Sequence, residues 1–203
     1  HPEVDNYFIE VDWRTFERER DADPQYLTRL FEDGQFICLK NHPVKVDIEL
    51  FNSFTLPNDN AFRKLAYTRL LYPRPWKRKD WRLIFGSFGW DVAKFLRVRA
   101  EMKRVNASLR DLTHRIFPNY KVKREQYSWR LLPTDYGVHP LHIDNFGSDE
   151  DRHYVRIFVN LDEQPRIWKV SHRLEPLVHL FYRSHGWDQH AALPPNQFNY
   201  QIT

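Results

Sequence analysis

Apolar side chains between residues 91 and 117 recur at three- and four-residue steps, through Val92, Phe95, Leu96, Met102, Val105, Leu109, Leu112 and Ile116. That spacing predicts a long amphipathic helix from Asp91 to Phe117, ended by Pro118, whose apolar stripe is a scaffold face. A shorter helix is predicted over Gln25–Phe31, started by Asp23 and Pro24, stopped at Gly34 and followed by a strand over Gln35–Leu39. From about residue 122 onward the period changes. Glu125–Leu132, Arg152–Leu161 and Arg166–Val170 are rich in β-branched and aromatic residues and are separated by turn-forming stretches, Pro133–Gly137 and Asp162–Pro165. Short strands divided by turns predict a sandwich or barrel rather than a βαβ unit. Residues 51–89 hold many Pro, Asn and basic side chains and predict an irregular segment.

Composition narrows the class. At 203 residues, 41% hydrophobic and 16% aromatic, the chain is expected to bury one core as a single domain. A lone cysteine, Cys38, excludes an intrachain disulfide framework and a cysteine zinc cluster; a buried place in the early strand is expected for it. No apolar run approaches the roughly 18 residues of a membrane span, and His1–Asp5 lacks the features of a signal peptide. A soluble, cytoplasmic protein is expected, from a chain that has lost at least its initiator methionine.

The formal charge is only +4, but basic residues concentrate between Arg63 and Arg104. In Tyr72–Arg82, Arg74, Lys77, Arg78, Lys79 and Arg82 are interleaved with Trp76 and Trp81. Such a segment suits phosphates or an anionic membrane surface, or is a solvated loop anchored by its tryptophans. No nucleic-acid partner is expected, because such modules are usually more basic and more repetitive.

Candidate chemistry lies in Tyr136–Phe146, where His142 and Asp144 are two residues apart. In a strand, side chains at i and i+2 project from the same face, so this imidazole and carboxylate would flank one metal. They would form two of the three ligands of a 2-His-1-carboxylate Fe(II) site. The alternative is a surface histidine beside a turn aspartate.

Four blocks carry a wider likeness: Tyr127-Ser-Trp-Arg-Leu-Leu-Pro133, Leu141-His-Ile-Asp-Asn-Phe146, Val155-Arg-Ile-Phe-Val-Asn-Leu161 and Pro165-Arg-Ile-Trp-Lys-Val170. In order and spacing, over residues 90 to 175, the chain resembles the Fe(II)/2-oxoglutarate-dependent oxygenases, most closely the Kdo hydroxylase group. The resemblance implies an α+β, mainly β fold, a double-stranded β-helix of the jelly-roll, cupin-like kind with flanking helices. It implies Fe(II), 2-oxoglutarate and O2 as cofactor and cosubstrates, with ascorbate supporting activity. The implied reaction is hydroxylation of a carboxylated sugar, the Kdo of lipopolysaccharide, in an anionic glycolipid met at the inner membrane. The alternatives are a hydroxylase of a small metabolite or amino acid and a non-catalytic cupin-like sugar-binding protein.

Side-chain direction adds residues to this expectation. If Tyr154–Leu161 is a strand, Tyr154, Arg156, Phe158 and Asn160 share the face that would line the barrel. A barrel-lining arginine needs an anionic partner, and 2-oxoglutarate and Kdo both carry carboxylates. Arg156, Arg130 and Asn160 are therefore the candidate cosubstrate- or substrate-binding residues, with an outward Arg156 paired to Asp162 or Glu163 as the alternative. Tyr127, Trp129 and Phe146 are either pocket walls or core.

The family pattern needs a distal histidine followed by a basic residue, and the histidines after Asp144 do not supply that pair. The reading preferred is that the closing strands and distal ligand lie outside residues 1–203; the other is a diverged pattern. Within the chain, His190 is the nearest candidate, on a segment, Leu177–His190, that reads as a helix and then a loop.

Overall fold

The computed structural model describes residues 8–54, 85–127, 129, 155–160, 179, 181–190 and 192–193. The chain divides into two compact units, Tyr7–Gly137 and His1–Asn6 with Val138–Thr203.

In the first unit the described elements run β1 (Phe8–Asp12), α1 (Trp13–Ala22), α2 (Tyr26–Glu32), β2 (Phe36–Lys40), α3 (Ile48–Asn52) and α4 (Val92–Ile116). β1 and β2 pair in parallel, with Phe8 opposite Phe36 and Asp12 opposite Lys40. A parallel pair needs a crossover rather than a hairpin, and α1 and α2 provide it. Phe8 and Phe36 stack at 5.4 Å, and Lys40 pairs with Glu10 at 2.6 Å, so both ends of the ladder are tied by side chains. Asp12 ends β1 and starts α1: its carboxylate accepts from the Arg14 N–H at 2.8 Å, satisfying one of the donors a helix start leaves open. α2 closes at Gly34, whose φ of 74 suits glycine, and the Gly34 and Gln35 N–H groups donate to Phe31 and Leu30 carbonyls.

α4 is the element around which the described unit packs. Asp91 caps it through the Lys94 N–H at 2.9 Å, and its buried face is Phe95, Val98, Met102, Val105, Leu112 and Ile116. Toward its C-terminal end it meets the crossover: Thr28 Oγ1 donates to the Ile116 carbonyl at 2.9 Å, Phe31 meets Phe117 edge-on at 5.3 Å, and Arg115 pairs with Glu17 at 2.8 Å. Toward its N-terminal end an aromatic cluster closes the core. Phe88 contacts Phe54 at 4.5 Å and Phe95 at 5.5 Å, and Phe51 of α3 stacks on Trp129 at 5.2 Å.

The predicted elements here lie within one residue of those found. The helix expected over Gln25–Phe31 is Tyr26–Glu32, the strand over Gln35–Leu39 is Phe36–Lys40, and the helix over Asp91–Phe117 is Val92–Ile116. Two details are corrected. Val92 and Leu96 are 54% and 52% exposed, while Val98 is fully buried. At about 100° per residue, Val92 and Leu96 lie about 120° and 160° from the centre of the buried arc. Cys38 lies on β2 as expected but is half-buried, because a two-stranded ladder leaves it partly uncovered. Of the irregular segment expected over 51–89, the described part is not wholly irregular: α3 extends through Asn52, and residues 85–87 form a helical turn.

The expected strands are described only in fragments. Residues 121–127 and 129 form no ladder. Side chains from this stretch bind α4 instead: Glu125 accepts from Arg110 at 2.7 Å, and the Trp129 indole N–H donates to Asn106 at 3.0 Å. Trp129 is thus a core residue, 5% exposed.

In the second unit, residues 155–160 likewise carry no ladder. Arg156, Ile157, Phe158 and Asn160 are all exposed, so the expected division into a buried and a lining face is not seen there. Residues 181–186 end a helical turn, Gly186 takes a φ of 69, and Trp187–His190 is a 3-10 helix. The helical residues 179 and 181 and the turn after them agree with the helix and loop expected over Leu177–His190, whereas the 3-10 helix at its end replaces part of the expected loop. The described residues contain one two-stranded sheet, and the double-stranded β-helix expected from residue 122 falls largely outside them.

Candidate functional site

His142, Asp144 and Arg130 lie outside the described residues, as do Trp76, Trp81 and the basic residues between them. Arg156 and Asn160 are described and exposed. His190 is half-buried at the end of the 3-10 helix, whose preceding Gly186 turn is closed by the Trp187 N–H on the Tyr182 carbonyl at 2.9 Å. His185 is held apart from it in character: its ring meets Phe181 edge-on at 4.8 Å and Trp187 at 5.6 Å, and its Nδ1 lies 3.1 Å from the Ser184 hydroxyl. Among the described residues no group of three or more His, Cys, Asp or Glu side chains is arranged to hold a metal. The metal assignment therefore rests on His142 and Asp144 as a sequence motif.

The described residues include a polar recess of about 630 Å³, lined by Asp12, Trp13, Arg14, Glu17 and Asn41. It sits where the parallel strands end, since Asp12 is the last residue of β1 and Asn41 follows β2 directly. The carboxyl ends of parallel strands are the usual place for ligands in open α/β sheets. Asn41 adopts φ 54, a left-handed conformation asparagine tolerates better than most residues, and its amide donates to Asp12 Oδ2 at 2.6 Å. Asp12 thus accepts from the Asn41 side chain and the Arg14 backbone, and these bonds hold its carboxyl below the ordinary value. At neutral pH it is an anchored acceptor rather than a proton donor.

The floor of the recess is equally fixed. Trp13 is buried, the Arg115 guanidinium lies 4.8 Å from its ring centre, and the same guanidinium binds Glu17. Two acids already engaged and one exposed arginine, Arg14, make a place for a small polar group, with no nucleophile beside it. Sequence reading did not single out these residues. The available signal was Asp12 directly before Trp13 and Phe16, a cap followed by an apolar step of three; the approach of Asn41 is set by strand pairing and leaves no local trace.

A second polar cluster belongs to the scaffold. Arg110, through its hydrogen bond, holds the Glu125 carboxyl below the ordinary range, and burial first, then Glu125, pushes the Tyr127 phenol up. His114 is 3.8 Å from Glu125. These bonds fasten residues 125–127 to α4, the ordinary work of a surface ion-pair network. Compared with protein-family models, with curated proteins and with solved structures, the chain matches none of them.

Proposed function

We propose that the chain is an Fe(II)- and 2-oxoglutarate-dependent dioxygenase that hydroxylates a carboxylated sugar, the Kdo of a lipopolysaccharide precursor such as Kdo-lipid A. One observation supports this reading: His142 and Asp144 stand two residues apart inside four sequence blocks whose order resembles that family's. His142 and Asp144 would hold the metal, and Arg156, with Arg130 and Asn160, would meet the carboxylates of cosubstrate or sugar. Iron with a bound 2-oxo acid and O2 supplies an oxidant able to replace a C–H hydrogen by hydroxyl. The protein's share is to orient the sugar and keep water away.

A lipid-linked substrate would place the reaction at a membrane surface. Among the described residues no helix is long and apolar enough to cross a membrane, and contact from one side is the arrangement proposed, at the cytoplasmic face of the inner membrane.

Succinate release with Fe(II), ascorbate and 2-oxoglutarate, measured with and without Kdo-lipid A, tests the reading. Lipid-dependent succinate that falls to background in His142→Ala and Asp144→Ala is expected, with Arg156→Ala raising the KM for 2-oxoglutarate or sugar. Turnover unaffected by the lipid would point to a small-metabolite substrate. Sugar binding without succinate would make the protein a non-catalytic binder, and full activity in either ligand variant would remove the metal assignment.

A further inference from the structure

We draw no further inference here: the strongest candidate, the polar recess at the carboxyl ends of β1 and β2 where α1 begins, has both its acids already engaged, Asp12 by Asn41 and the Arg14 N–H and Glu17 by Arg115, and nothing in the structure shows what would fill it.

Discussion

The two ends of α4 use similar residues to opposite effect. From Val98 to Ile116 its apolar side chains are packed under the crossover and the aromatic cluster, whereas Val92 and Leu96, with Trp90 before them, face outward. Helix propensity does not separate the two stretches, and neither does apolar content. Angular position does: Val92 and Leu96 form a second stripe, four residues apart, offset from the one that runs through Phe95, Val98 and Met102. A single helix thus carries two apolar stripes, one holding the unit together and one exposed.

The sharpest way to break this contrast is to truncate one side chain from each stripe. Met102→Ala should cost about 2–5 kcal/mol, because it leaves a cavity among fully buried neighbours, while Leu96→Ala should stay within about 0.5 kcal/mol. Urea unfolding of both variants measures the difference, and equal losses would mean that the outer stripe is covered. A smaller effect is expected at the far end of the buried stripe. Thr28→Val removes the donor to the Ile116 carbonyl, a buried bond that supplies one of the acceptors' partners missing at a helix end, and should cost about 1 kcal/mol. No loss in the same measurement would show that this bond is replaced by water.

The smallest effect expected is one of pH. Glu101 is 12% exposed in its side chain, and the Arg104 hydrogen bond holds its carboxyl below the ordinary glutamate value of 4.5. A carboxyl lowered in the folded state stabilises fully above its unfolded value and loses that contribution as pH falls through the lowered one. Relative to Glu101→Gln, the unaltered chain should therefore be more stable at neutral pH, and the gap should narrow as pH drops below 4.5. Stability curves for the two proteins that stay parallel into acid would show that the pair contributes nothing.

Where hydrophobic period and local punctuation agree, the fold is legible in the sequence. Asp91 and Pro118 bracket α4, and Gly34 separates α2 from β2. β1 and α1 were not legible: Phe8–Asp12 is only five residues long, and what stabilises it is a partner strand at Phe36–Lys40 that local pattern does not reveal. Leu96 and Val98 both fit steps of three or four, and only packing decides that Val98 is buried and Leu96 is not. The candidate sites divide in the same way. His142 and Asp144 are visible because two residues of spacing carry the idea, while the recess unites Asp12 with Asn41 across an intervening crossover and so exists only after folding.

The bonds between the crossover and the end of α4 have a consequence for biosynthesis. Thr28 and Ile116 are 88 positions apart, and Glu17 and Arg115 are 98 apart. Translation adds about 5–20 residues per second, so the first helices leave the ribosome several seconds before their partners exist. During that interval Leu27 and Phe16, both nearly inaccessible in the finished protein, stand in water. A nascent chain arrested short of residue 116 should present a binding site for a chaperone that the completed one hides.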